Sequence, residues 1–131
     1  MASIHKEIIV RARPDVVWDA LRDVGALHTR LVPGFVTDTK LEPGARIVTF
    51  GNGTVARELI VSIDDDARRL VWSVVGGRMT HHNASAQVFD EPDGMSRFVW
   101  IADLLPDELA PAIAAMMEQA LAVIRDTLGR R

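Results

Sequence analysis

Short runs of alternating apolar and polar residues make up most of the chain. Alternation with a period of two is typical of β-strands that bury one face. Short stretches rich in Gly, Pro, Asn and Asp separate the last six runs, so consecutive strands are predicted to pair antiparallel. The seven predicted strands lie at residues 2–12, 35–42, 45–50, 54–64, 69–76, 80–90 and 95–104.

Three segments favour helices instead. Residues 13–25 place Pro14 and Asp15 where a first helical turn accepts them, and Gly25 offers a stop. A second short helix is predicted from residue 26 to just before Pro33. The last segment, 106–131, predicts a long helix with one apolar face. That face comprises Leu109, Ile113, Met116, Met117, Ala120, Ile124 and Leu128.

This order of elements, β-αα-β6-α, predicts one α+β domain over residues 1–131. The long helix must bury its apolar face against the concave side of a curved sheet. A chain of 131 residues is large enough for one such core. Where the helix and the sheet do not meet, a cavity is expected.

Composition narrows the range of partners and compartments. A net charge of −3 gives no general electrostatic reason to expect nucleic acid as a partner. The chain has no cysteine, which excludes disulfides and Cys-based zinc sites. No apolar run of about 18 residues exists, so no membrane span is predicted. The N-terminus lacks a signal-peptide core, and a cytoplasmic location is expected.

Several stretches resemble the START-related SRPBCC superfamily, which includes polyketide cyclase/dehydrase-like and birch-pollen-allergen-type proteins. The stretches are "RPDVVWDALRDVGALHTRLVPGFV", "LEPGARIVTF", "ARELIVSIDDDARRLVWSVVGG" and "SRFVWIADLLPDE". The resemblance covers nearly the whole chain. It implies a helix-grip fold, in which a curved seven-stranded antiparallel sheet wraps around the C-terminal helix and encloses a hydrophobic cavity.

Alternation along the strands assigns side chains to the cavity. The row of His82, Ala84 and Ala86 is more apolar than the row beginning at His81, so it is predicted to face inward. Phe98 shares one row with Trp100 on the last strand. These two are assigned to the cavity.

The resemblance also assigns two rows on the neighbouring strands. It points Leu70, Trp72 and Val74 inward. In 54–64 it points Glu58, Ile60 and Ser62 inward, whereas apolarity alone favours the opposite row, and we follow the resemblance. The outer face would then be unusually apolar, so either it forms a homodimer interface or this facing is inverted. The outer row comprises Leu59, Val61, Ile63, Val71, Val75, Val99 and Ile101.

Few residues offer catalytic or metal-binding chemistry. Adjacent His81 and His82 point to opposite faces of a strand and cannot readily chelate one ion, so no metal and no cofactor are expected. His82 is either a general acid–base or a polar anchor. Glu58 either anchors a ligand or forms a salt bridge at the cavity rim; Arg57 lies on the opposite face and cannot pair with it.

Three further interpretations concern the arginines, the loop at 51–54 and the aromatic pair. Arg11, Arg13, Arg30 and Arg46 form no basic stripe and are interpreted as solvated surface residues. The loop "GNGT" is either a lid, as the resemblance implies, or a plain hairpin. Trp72 and Trp100 suit a ring-containing ligand, and core packing explains them equally well.

Binding of a small hydrophobic or aromatic ligand, lipid- or polyketide-like, is the function that these patterns favour. One alternative is a polyketide cyclase/aromatase-like enzyme using His82 and Glu58 for proton transfer. Another is a co-chaperone-like interaction protein. The predicted ligand-binding residues are Glu58, Ile60, Trp72, Val74, His82, Ala84, Phe98, Trp100, Ile113, Met116, Met117 and Ala120.

Overall fold

Seven antiparallel strands form one sheet in the computed structural model, which describes residues 1–129. The order across the sheet is β1-β7-β6-β5-β4-β3-β2, so every pair except β1–β7 joins strands that are consecutive in the chain. The predicted seven-stranded antiparallel sheet is confirmed. The strands are β1 (Ala2–Val10), β2 (Val36–Glu42), β3 (Ala45–Phe50), β4 (Val55–Asp64), β5 (Arg69–Val75), β6 (His81–Asp90) and β7 (Ser96–Leu105).

Two helices and several short turns complete the fold. Helix α1 (Pro14–Arg22) begins at its proline, as predicted, and buries Trp18 and Leu21. The predicted second helix is irregular: a 3₁₀ turn (Val24–Ala26) runs into a π-helical turn (Leu27–Leu31). Further 3₁₀ turns span Pro92–Gly94 and Asp107–Leu109, and the second of them leads into α2 (Ala110–Leu128). The predicted end of this helix at residues 130–131 lies outside the described residues.

Helix α2 lies on the concave side of the sheet and packs chiefly against β1. Its buried residues include Met117, Leu121 and Ile124. The inward rows of β5 and β7 meet this core through Leu70 and Phe98, which are almost fully buried. The long-helix prediction is confirmed, and the helix-grip architecture follows from this packing.

The facing of β4 follows the resemblance up to its middle. Glu58 is buried, whereas Val61 is 58% exposed. A register shift between Ile60 and Ser62 leaves Val61 without a partner in β5, and Ile63 then stands opposite the inward-facing Leu70. The bulge therefore interrupts the outer row that simple alternation predicts.

The outer apolar face is smaller than the sequence predicts. Val71 and Val99 are buried, although both belong to the predicted outer row. Val75 and Ile101 are partly exposed, at 37% each. Part of the outward row is therefore buried, and the homodimer stays a prediction.

Within residues 1–129, the structure contains no helix with both the length and the apolar character needed to cross a membrane.

Substitutions of two neighbouring leucines at the end of β7 test which side chains of this strand face the core. Leu104 is fully buried in the core and Leu105 is 37% exposed. We expect Leu104→Ala to lower the free energy of unfolding by about 2–5 kcal/mol, because it leaves a cavity. Leu105→Ala should cost less than about 1 kcal/mol. Urea denaturation measures both, and equal losses would contradict the facing.

Candidate functional site

A cavity of about 710 Å³ lies between α2, the concave side of the sheet and the π-helical turn. Its volume is within the range of small-molecule pockets. Ten of the twelve predicted residues line it. They are Glu58, Trp72, Val74, His82, Phe98, Trp100, Ile113, Met116, Met117 and Ala120.

The remaining two predicted residues, Ile60 and Ala84, do not line the cavity. Ile60 lies at the β4 bulge, where it stands opposite Trp72 and packs against the core. Ala84 stands between Trp72 and Ala102 in the sheet register and is 1% exposed, so neighbouring side chains cover it. Alternation predicts the face of a residue but not whether neighbouring side chains cover it.

Arg46 is the main cavity residue that the sequence analysis missed. It was predicted to be solvated, yet only 3% of it is exposed and it lines the cavity. It stands directly opposite Glu58 in the β3–β4 register. This pairing could have been predicted from the sequence. With the hairpin centred on Asn52, residues 46 and 58 are equally distant from the turn, so they stand opposite each other.

Arg46 and Glu58 form a buried ion pair at one end of the cavity. The Nε atom of Arg46 donates to Oε1 of Glu58 at 2.8 Å, and Glu58 is 5% exposed. A buried charge is tolerated only when it is paired and hydrogen-bonded, and each of these side chains supplies the partner of the other. The cavity therefore has one strongly polar end.

Two further contacts hold the Arg46 guanidinium in place. Its Nη1 atom donates to the carbonyl oxygen of Val24 at 3.2 Å. Its Cζ atom lies 5.9 Å from the centre of the Trp72 ring, within the range of a cation–π interaction. The 3₁₀ turn after α1 and strand β5 thus both position this side chain.

The His82 ring occupies a gap in the β5–β6 ladder. Pairing of these strands ends at Trp72 and Ala84, and the backbone N–H of Val74 instead donates to Nδ1 of His82 at 3.0 Å. The Ser73 hydroxyl donates to the His82 carbonyl oxygen. The imidazole therefore accepts a hydrogen bond from a backbone N–H that lies beyond the end of the β5–β6 pairing.

The pKa of His82 is lowered from 6.5 to about 4, chiefly by burial; the charge of His81 contributes to the lowering and Asp103 opposes it. The ring is therefore neutral at physiological pH. Because Nδ1 accepts the Val74 N–H, the single ring proton lies on Nε2. His82 thus offers the cavity a hydrogen-bond donor and not a general base.

Two indole rings form the middle of the wall. The centroids of Trp72 and Trp100 lie 5.9 Å apart with an interplanar angle of 50°. Within residues 1–129, the buried Nε1 atom of Trp100 has no hydrogen-bond partner. The two rings therefore add apolar area to the wall, whereas the Trp100 N–H is buried away from the cavity surface.

Exposed residues mark where the cavity reaches the surface. The β3–β4 loop lies on one side of this opening and the first half of α2 on the other. The exposed residues in the wall are Gly34, Gly51, Asn52, Thr54, Ala112, Ala115 and Gln119.

The β3–β4 loop is a tight hairpin anchored to the neighbouring loop. Phe50 N–H donates to the Thr54 carbonyl oxygen at 2.8 Å, and Gly51 N–H donates to that of Phe35 at 2.9 Å. A Cβ atom at Gly51 would lie 2.6 Å from the Gly34 carbonyl oxygen, so only glycine permits this approach. The rings of Phe35 and Phe50 meet edge to face nearby.

In the part of the chain that the structure describes, no three His, Asp or Glu side chains cluster as metal ligands would. His82 lies in the cavity wall, whereas His81 is exposed.

Fold and cavity together define a helix-grip protein of the START-related class. A model of the polyketide cyclase/dehydrase and lipid transport family matches residues 1–130. The chain therefore belongs to this family, within the SRPBCC superfamily that its motifs resemble. A search of curated proteins found no match.

Solved structures of low sequence identity share the fold. An uncharacterised protein from Bacillus thuringiensis aligns with a TM-score of 0.87 at 16% identity, over 97% of this chain and 98% of its own. A START superfamily protein from Mycobacterium smegmatis aligns with 0.73 at 11% identity, over 97% and 94%. Norcoclaurine synthase from Thalictrum flavum, bound to a transition-state analogue, aligns with 0.70 at 19% identity, over 98% and 92%.

The depressed pKa of His82 predicts a pH-dependent stability. Between pH 6.5 and about 4, protons bind this histidine in the unfolded chain but not in the folded one. Its contribution, about 3 kcal/mol, is complete above pH 6.5 and is lost as the pH falls toward 4. We expect His82→Asn, whose side-chain oxygen can replace Nδ1, to flatten the pH dependence of urea unfolding in this window.

His81→Asn is the matched control, because it changes the exposed neighbour of His82. An NMR titration of the wild-type ring should give a midpoint of about 4 for His82. A midpoint near 6.5, or equal flattening by both substitutions, would contradict the burial of His82.

Proposed function

We propose that the protein binds a small hydrophobic or aromatic ligand, lipid- or polyketide-like, inside this cavity. The observation that carries the proposal is a cavity of about 710 Å³ that is apolar over most of its wall and polar at one end. Sites with this character bury most of a small ligand and orient it through a few polar groups.

The shape of the wall supports a ligand that contains a ring or a long chain. Trp72 and Trp100 offer two tilted indole faces. Met116 and Met117 lie opposite on α2, and their flexible thioether side chains adapt to different shapes. Burying apolar ligand surface here stabilises the complex by about 25 cal/mol per Å² before the costs of association.

Binding is favoured over proton transfer by the state of the two candidate catalytic groups. The ring proton of His82 lies on Nε2, since Nδ1 accepts the Val74 N–H. Glu58 is held in a buried ion pair with Arg46. A cyclase that uses His82 as a base would first have to break its hydrogen bond to the Val74 N–H, and a proton on Glu58 would leave the buried charge of Arg46 without a partner.

Ligand binding can be tested by filling the cavity from β4. Ala56 lines the cavity, whereas its neighbour Val55 is 61% exposed. We expect Ala56→Trp to weaken binding of the uncharged probe N-phenylnaphthylamine by about tenfold or more, because the indole occupies the ligand's space. Direct excitation of the probe and its fluorescence enhancement measure the affinity.

Val55→Trp is the control, since it adds the same indole to the outer face of the strand. It should leave the affinity of the probe unchanged. Circular dichroism checks that both variants fold. Equal affinities of the wild type and a folded Ala56→Trp variant would contradict binding in this cavity.

A further inference from the structure

The ion pair leaves hydrogen-bonding atoms available to a ligand. Among the contacts of residues 1–129, Arg46 uses Nε for Glu58 and Nη1 for the Val24 carbonyl, and Nη2 makes no hydrogen bond. Glu58 accepts through Oε1 only, so Oε2 is likewise unoccupied. Both side chains line the cavity. One donor atom and one acceptor atom of the ion pair are therefore left for a ligand at the polar end of the cavity.

The charges of the cavity wall cancel. Among the described residues of the wall, Arg46 and Glu58 are the only members of the Arg, Lys, Asp and Glu types. The ring of His82 adds a donor without a charge. A ligand with a net charge would have no counter-charge here, and burying an unpaired charge is strongly unfavourable.

We infer that the Arg46–Glu58 pair selects an uncharged ligand whose polar head both accepts and donates a hydrogen bond, such as an alcohol, a phenol or a primary amide. The head accepts from Nη2 of Arg46 and donates to Oε2 of Glu58. This inference rests on the proposed function and specifies its ligand class.

A carboxylate or an ammonium head disturbs this arrangement. An anionic head competes with Glu58 for Arg46 and leaves one negative charge without a partner. A cationic head competes with Arg46 for Glu58 and leaves one positive charge. In both cases the buried end of the cavity loses its neutrality, whereas a hydroxyl group adds two hydrogen bonds and no charge.

A series of ligands with one chain and three heads tests the inference. The affinities of decanol, decanoate and decylamine for the wild-type protein are measured by their displacement of N-phenylnaphthylamine at neutral pH. Decanoate is then an anion and decylamine a cation. We expect decanol to bind about tenfold or more tightly than either charged ligand. Equal affinities, or a preference for a charged head, would overturn the inference.

The variant Glu58→Gln assigns the selectivity to the ion pair. It keeps the shape of the side chain and leaves the buried charge of Arg46 uncompensated, so decanoate should gain about tenfold in affinity relative to decanol. The control Glu42→Gln removes an equal charge from an exposed pair with Arg57 and should change nothing. An unchanged ranking in a folded Glu58→Gln variant overturns the assignment.

Failure of the proposed function gives a different result. If neither N-phenylnaphthylamine nor any decyl ligand binds the wild type, the cavity does not take apolar ligands and the proposed function fails. If all bind but the heads are not distinguished, only the inference about the ion pair fails. Should Glu58→Gln not fold, the wild-type ranking decides alone.

Discussion

One helix cannot fill the concave side of this sheet. Six spacings of about 4.8 Å make the seven strands roughly 29 Å wide, whereas a helix with its side chains is about 10–12 Å across. Because α2 packs chiefly against β1, the space over β3–β5 is left without a helix. The cavity is therefore a consequence of the fold, and the residues of β3–β5 decide its chemistry.

The polar end of the cavity depends on strand register. The tight hairpin at 51–54 places Arg46 opposite Glu58, and a shift of one residue would turn one of them toward solvent. The 3₁₀ turn after α1 then contributes the Val24 carbonyl, and β5 contributes Trp72. Elements far apart in sequence thus hold one ion pair against the space that the helix leaves open.

Much of the fold could be predicted from local patterns, because strand alternation and the apolar stripe of α2 are properties of short segments. The facing of Glu58 was predicted from the family resemblance, since Leu59, Val61 and Ile63 favour the opposite face by apolarity. Three features were not predicted: the β4 bulge, the burial of Ala84 beneath neighbouring side chains, and the pairing of Glu58 with Arg46. Each depends on contacts between strands, which a single strand's pattern does not record.

The methyl groups of the methionines can show where a ligand binds, because some of these residues line the cavity and others do not. Met79, Met116 and Met117 line the cavity, whereas Met1 and Met95 lie outside it. With ¹³C-methyl methionine, titration with decanol should shift the three cavity resonances in NMR spectra and leave the other two in place. Shifts confined to Met1 and Met95, or none at all up to saturating decanol, would contradict binding of an uncharged apolar ligand between the sheet and α2.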